Sequence, residues 1–373
     1  MRILVVLHKA KKIGGMVLQF LKMAKQFELQ GHEVLIFSFD NYSQTRNIFF
    51  DILNIYKELK KQINEFKPDI IFASDPYITA SIAILAKPKS IPIVLRIGTI
   101  LHLFYASRII EEISPENIFN PFFNFIAFLL KGGAKIIFKK IDLIVFNSFF
   151  LQNTFFKNAQ NSIVIHNGVD ILARNEPKTN SIIKLVYVGR IHPRKSIELL
   201  IHTLNILKRE KINFHFSIIG KTIHNIKYWE KLSKLISKYQ LWDFITAHGQ
   251  ITNEKLPDLL VNHDILLFST DDRNYPITEG LPNVILEGMA NGLAIVSTNA
   301  GGVPEILFPK NGFIVEPKAE KFAEKIIYLA KNQAELLKMR KANLKTISQN
   351  NNIEITSKLY LDAFKEIKKR NNS

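Results

Sequence analysis

Short apolar runs of strand length recur along this chain, each followed by a turn and a stretch with helical spacing, and that alternation limits the fold more than any other feature. Ile3 to Leu7 is the first run, and Gly14-Gly15 then opens a periodic stretch to about Gln30. The pattern continues through 34 to 38, a helix over 47 to 66, Asp69 to Ala73, a helix near 77 to 87, and Ile91 to Arg96. Ile141 to Phe146, a helix from Ser148 to Lys157 and Ser162 to Ile165 complete a first set. A second set starts at IIKLVYVGR and runs through Phe214 to Gly220, Phe244 to Gly249 and Ile265 to Phe268. Thr252 is expected to cap a helix carrying Leu256, Leu259 and Leu260, and helices over 318–331, 333–347 and about 353–370 end the chain. Strands separated by helical crossovers pair in parallel, with helices on both faces of the sheet. The expected class is α/β.

At 373 residues the chain is long for one core and suits two domains. Between the two sets lies His166-Asn167-Gly168-Val169-Asp170, with an Asn-Gly turn dipeptide, and then the polar, proline-containing ILARNEPKTNS. This places one domain over 1–174, completed by the last helix, about 353–373, and the other over 175–352.

The richest single stretch is EGLPNVILEGMANGLAIVST, from Glu279 to Thr298. Pro282 suits a first helical position and Gly292 a C-terminal stop, which predicts a helix over 283 to 291. Glu287 then shares a face with Asn283 and Val284, while Glu279 lies on the loop before the helix. A helix N-terminus offers unpaired N–H groups to an oxygen-rich ligand, and carboxylates accept hydrogen bonds from sugar hydroxyls. A second pattern begins after the strand IIKLVYV, where Gly189-Arg190 is followed five residues later by Lys195 at the brink of a helix. Two fixed cations at a strand end match a diphosphate in charge and geometry. Ser196 is expected to cap that helix.

These motifs carry a resemblance. The spacing of Glu279 and Glu287 resembles the E-x7-E motif of retaining glycosyltransferases, and EGLPN with LEGMANG resembles glycosyltransferase family 4. GR-x4-K, the HNGVD turn, and Gly14-Gly15 followed by Gly31-His32-Glu33-Val34 are similar to elements of the same family. The resemblance implies two Rossmann-like domains facing each other across a cleft, the GT-B type, with the C-terminal helix crossing back to the N-terminal domain. It implies that the second domain holds a nucleotide-sugar donor and the first an acceptor. Arg190 and Lys195 would stabilise the leaving diphosphate, Glu279 would hold the hexose, and Glu287 the ribose. Backbone groups of Gly280, Leu281, Pro282, Asn283 and Val284 would add to the grip. HGQIT, similar to the segment that meets the base, would put Gln250 and Ile251 beside it, and Gly14, Gly15, Gly189 and Gly220 would line the donor side. NAGGVPEI, with Gly301-Gly302 and then Pro304 at an expected helix start, would frame the phosphates.

The first domain departs from the family pattern. Many members carry a histidine just after the fourth strand, where this chain reads VLRIGTILH. Asp75, Arg96 and His102 are the acceptor-side candidates, because ligands of such sheets collect at the C-terminal strand ends. The acceptor's proton also has a route to the donor phosphate. No D-x-D pair stands at a suitable strand end, so no metal and no other cofactor is expected beyond the nucleotide sugar as co-substrate.

The implied reaction is transfer of a hexose from a nucleotide diphosphate sugar, UDP favoured, to a glycan or lipid-linked glycan. The work would belong to cell-surface polysaccharide biosynthesis. Rival readings are a sugar-nucleotide epimerase, a glycan phosphorylase of similar build, or a non-catalytic nucleotide-sugar-binding subunit.

Composition bounds the partners. The net charge of +17 is spread over both halves, which argues against a nucleic-acid module and favours an anionic membrane surface. Aromatic residues from Phe104 to Phe128 beside Lys131, Lys135, Lys139 and Lys140 would suit either a helical insertion that fills the core of the first domain or peripheral contact with such a surface. The first apolar run is too short for a signal-peptide core, and the run from Ile118 to Phe138 is broken by Asn124 and Lys131-Gly132-Gly133. With no cysteine in the chain, disulfides and thiolate chemistry are excluded, and a cytoplasmic location is expected.

Overall fold

The structure is a computed structural model that describes residues 1–8, 15–41, 48–99, 132–133, 136–155, 161–171, 177, 182–221, 226–270 and 280–372. The chain divides into two compact units. The first takes in Met1–Gly168, Glu279–Leu281 and Ile353–Ser373, and the second Val169–Thr278 and Pro282–Asn352. Each is built on a six-stranded parallel sheet with helices, so the fold is a two-Rossmann-domain α/β fold.

In the first unit the elements follow as β1 (Arg2–Leu7), α1 (Gly15–Leu29), β2 (Glu33–Ser38), α2 (Ile48–Phe66), β3 (Ile70–Ala73), α3 (Ser81–Ala86), β4 (Ile93–Ile97), β5 (Leu143–Phe146), α4 (Phe149–Phe155) and β6 (Ser162–Val164). The sheet order is β2-β1-β3-β4-β5-β6. Strands covered on both faces must be apolar at every position, and β1 and β3 are buried almost throughout. Alternation sends Leu4, Val6, Ile71 and Ala73 to one layer and Ile3, Val5, Leu7, Ile70 and Phe72 to the other. The C-terminal helix Ile353–Asn372 closes the second layer. Its Tyr360 and Phe364 rings lie 5.3 and 5.4 Å from that of Phe72, which also meets Phe20 at 4.6 Å. The helix expected near 77 to 87 is in two parts, a wide turn over Pro76–Ala80 that leads into α3.

The second unit continues with β7 (Ile183–Val188), α5 (Ile197–Arg209), β8 (Phe214–Ile219), α6 (Ile226–Lys238), β9 (Ile245–Gly249), α7 (Leu256–Leu260), β10 (Ile265–Phe268), α8 (Asn283–Ala290), β11 (Ala294–Thr298), β12 (Gly312–Val315), α9 (Ala319–Lys331) and α10 (Gln333–Asn350). Its order, β12-β11-β10-β7-β8-β9, reverses direction between β7 and β10. Such a reversal is where open α/β sheets bind ligands, at the C-terminal strand ends.

Several local expectations are corrected. Pro282 is the N-cap of α8 rather than its first helical residue, with ψ at 112°. Ser196 does not cap α5. It adopts φ 44°, ψ 47°, the left-handed region, and its side chain makes no cap hydrogen bond. Thr252 contributes its carbonyl, not its side chain, to the turn before α7, accepting from Leu256 N at 3.0 Å. After Gly301-Gly302 the chain makes only a single 3-10 turn, Val303–Glu305, rather than the start of a longer helix.

Candidate donor site at the switch point of the second sheet

The C-terminal ends of β7, β8 and β9 are brought close by glycine. A side chain at Gly220 would place its Cβ 1.9 Å from the Gly189 carbonyl oxygen, and one at Gly189 would meet the Tyr187 hydroxyl at 2.8 Å. In their absence the backbones lace together: Gly189 N–H donates to Ile219 O at 2.9 Å and Gly220 N–H to Gly249 O at 2.8 Å. Tyr187 OH then donates to Arg190 O at 2.8 Å, fixing where the chain leaves β7. Gln250 and Ile251 follow β9 directly, after Gly249 at φ +68°.

From β7 the chain passes through exposed Arg190 into the turn Pro193–Lys195. Lys195 is anchored across the sheet reversal. Its ammonium donates to Thr270 Oγ1 at 3.2 Å and lies 4.9 Å from the centre of the Phe268 ring, while its carbonyl accepts from Ser269 Oγ at 2.7 Å. Thr298, at the end of β11, donates to Thr270 O at 2.6 Å. The ends of β7, β10 and β11 are thereby tied together around one lysine. At the start of α5 one N–H is already used, since Ile197 N–H donates to Tyr228 OH at 3.0 Å.

His192 registers the local field. Its Nδ1 accepts Arg194 N–H at 3.2 Å, and burial, with the charges of Arg190, Arg194 and Lys195, pushes its pKa down to about 4. A neutral imidazole ringed by three cations marks a loop built for negative charge.

α8 starts at the same edge, since it follows β10 in the chain. Ile285, Leu286, Gly288, Met289 and Ala290 are buried, and only Asn283, Val284 and Glu287 are half-exposed. One face is thus open, with Glu287 one turn from Asn283 and Val284. The helix ends as a Schellman motif, with Gly292 at φ +69° and Leu293 N–H donating to Gly288 O at 3.0 Å. Among the described residues, no group of three acidic or histidine side chains is arranged to hold a metal ion.

Other predicted site residues fall in the first unit. Gly280 is packed so that a Cβ would lie 2.4 Å from Gly98 O and 2.8 Å from Asn147 Oδ1, and Leu281 O accepts from Asn167 Nδ2 at 3.2 Å. Arg96 is not at the rim: it is buried, donates to Asn167 Oδ1, and its guanidinium sits 5.4 Å from the Phe20 ring centre. Gly15 begins α1, and Asp75 is buried at the end of β3. Glu279, Gly14, His102 and most of the aromatic and basic stretch from 102 to 140 lie outside the described residues. Sequence reasoning missed Tyr187, His192, Thr270 and Thr298, whose parts depend on contacts between distant positions.

Two family models match the chain in succession: Glycosyltransferase Family 4 over residues 13–171 and Glycosyl transferases group 1 over residues 170–346. A putative colanic acid biosynthesis glycosyltransferase, WcaL of Salmonella typhimurium, is 30% identical over 135 residues, 36% of this chain and 32% of that protein. The chain thus spans about a third of the length of that relative. The uncharacterized glycosyltransferase MJ1178 of Methanocaldococcus jannaschii is 25% identical over 356 residues, 90% of each chain. Among solved structures, HepE of Anabaena in complex with UDP and glucose superimposes with a TM-score of 0.72 at 18% identity, covering 98% of this chain and 100% of that one, a likeness of fold. The two model matches adjoin and together cover residues 13–346, and the chain belongs to the family 4, group 1 type of glycosyltransferases.

Proposed function

We propose that the protein transfers a hexose from a nucleotide diphosphate sugar, UDP favoured, to a hydroxyl of a glycan or lipid-linked glycan, with retention at the anomeric carbon. The observation that carries this reading is Lys195 held across the reversal of the second sheet by Thr270 and Ser269, five residues after Arg190 at the end of β7. As the sugar leaves, negative charge builds on the diphosphate, and the two cations are preorganised to meet it. Glu287 accepts hydrogen bonds from the nucleotide's ribose, and Glu279 is assigned the hexose from its place in the motif. The name of WcaL, which refers to colanic acid biosynthesis, favours a cell-surface polysaccharide, and HepE, with UDP and glucose, favours the donor class.

Because two cations already oppose the diphosphate, the reaction needs no metal. Incubating the purified chain with a panel of nucleotide sugars, with and without lipid-linked acceptors, tests the reading. Nucleotide release that depends on an acceptor and survives EDTA is expected. Release of free sugar without acceptor points instead to an epimerase, dependence on inorganic phosphate to a phosphorylase, and binding without turnover to a subunit. Total loss of activity in EDTA overturns metal independence.

The charge of +17 and the aromatic, basic stretch from 102 to 140 support peripheral contact with an anionic membrane at its cytoplasmic face. Among the described residues no helix is long and apolar enough to cross a membrane. Flotation with phosphatidylglycerol vesicles should lose the protein when the aromatics are changed to serine, and unaltered binding discards the contact.

A further inference from the structure

The turn that carries Lys195 closes on a side chain as well as on its own backbone. Pro193 has no N–H, Lys195 N–H donates to His192 O at 2.8 Å, and Ser196 N–H donates to Pro193 O at 2.8 Å. Arg194 N–H donates instead to His192 Nδ1 at 3.2 Å. His192 stands just before the turn in extended backbone, φ −149° and ψ 142°, so it is the N-cap of Pro193–Lys195. The far side of the turn is held by Ser269 Oγ, which donates to Lys195 O, and by Thr270 Oγ1, which accepts from Lys195 Nζ.

N-caps are ordinarily Ser, Thr, Asp or Asn, and here the acceptor is an imidazole. To accept an N–H, Nδ1 must keep its lone pair, so the ring is neutral and carries its proton on Nε2. The charged side chains from Arg190 to Lys195 are Arg190, Arg194 and Lys195, all cationic. The next acid along the chain, Glu198, is engaged with α6: it accepts from Tyr228 OH and, at 2.9 Å, from Lys231 Nζ. An aspartate cap would accept the same N–H but would set a negative charge among these cations and weaken their pull on a diphosphate. An imidazole closes the turn and leaves their charge uncancelled. Burial and the same cations push its pKa down to about 4, which keeps the ring uncharged at neutral pH.

We propose that His192 is a positioning residue for donor binding, an uncharged cap that fixes the turn bearing Lys195 without offsetting the positive field that receives the diphosphate. The inference rests on the donor reading above and explains how its cations are preorganised. All of the parts lie in the second unit.

UDP binding measured by calorimetry on full chains tests it. His192→Asn keeps an uncharged acceptor at the cap and should bind within about twofold of wild type. His192→Ala takes the acceptor from Arg194 N–H, so that binding must also order the turn, and UDP should bind about three- to tenfold more weakly. His192→Asp keeps an acceptor but adds charge. It should bind about tenfold more weakly or worse, with a thermal midpoint no lower than that of His192→Asn, and the gap should narrow in high salt. Affinity lost without stability is a result that a merely structural cap does not give. In nitrogen NMR spectra of the wild type at neutral pH, the His192 ring, assigned by its loss in His192→Asn, should show a bare Nδ1 and a protonated Nε2. His192→Asp binding as tightly as His192→Asn, His192→Ala binding as tightly as His192→Asn, or a proton on Nδ1 each overturns the proposal and leaves the donor reading standing. If His192→Ala does not fold, the Asp and Asn variants and the ring tautomer decide. A wild type that binds none of UDP, GDP and ADP overturns the donor reading and the part of His192 with it.

Discussion

Ser196 adopts a backbone conformation that glycine tolerates far better than serine. At φ 44° and ψ 47°, with no side-chain cap, the serine bears the steric cost of the left-handed region without a compensating bond. Ser196→Gly should raise stability by about 0.5–1 kcal/mol, the relief being partly offset by the freer unfolded chain. Urea denaturation checks it, and an unchanged or lower midpoint removes strain from the account. Immediately before the strained serine, Lys195→Ala should cut nucleotide release on the order of 10²-fold or more, because the cation acts mainly as the leaving group gains charge. Unchanged turnover removes the lysine from the mechanism. Arg190 and Lys195 were legible because cations just past an apolar run stand at a strand end in any parallel sheet. Thr270 was not, since only the folded chain brings it within 3.2 Å of a lysine far away in sequence.

Strands flanked by glycine were the most readable elements, since both faces of a parallel sheet demand apolar residues. β12 escaped because Gly312–Val315 is four residues long on the sheet's edge, with Phe313 and Ile314 only partly covered. α6 escaped for a related reason: only Tyr228, Leu232 and Ile236 are buried, a narrow stripe among lysines. Helix docking also depends on polar contacts that no periodicity reveals. Arg340 of α10 donates to Asp264 Oδ1, to Gly292 O at 2.7 Å and to His263 O at 3.2 Å, joining α10 to the start of β10 and the end of α8. Both partners of the ion pair are buried, at 5% and 1% side-chain exposure. Arg340→Ala strands the Asp264 charge and should cost about 3–5 kcal/mol, read as a lower denaturation midpoint. A loss below about 1 kcal/mol, the range of surface pairs, is the outcome that denies α10 this anchor.

At the scale of the whole molecule the sequence yielded the number of units and the class of each sheet, because composition and alternation are summed over long stretches. The balance of charge with pH is also set over the whole chain, yet its sharpest component is hidden in one buried group. His263 Nδ1 donates to Leu259 O at 2.9 Å and its Nε2 accepts from Ser217 Oγ at 2.8 Å, a neutral tautomer with both nitrogens used. Burial pushes its pKa down to about 4; the Leu259 carbonyl works against that, and the charges of His248, Lys184 and His215 reinforce it. The unfolded chain binds this proton from about pH 6.5 downward, whereas the folded chain resists until about pH 4. Stability should therefore be full above about pH 6.5 and fall as the pH drops, by about 3 kcal/mol once pH 4 is reached. His192, depressed in the same direction but more exposed, adds a smaller share. Between pH 5 and 6.5 exposed carboxylates contribute little, and buried Asp75, whose pKa burial raises, contributes equally to wild type and variant, so comparing the two by urea unfolding across that window isolates this histidine. His263→Gln should flatten the slope there, and a variant whose stability still declines in parallel with the wild type places the acid sensitivity elsewhere.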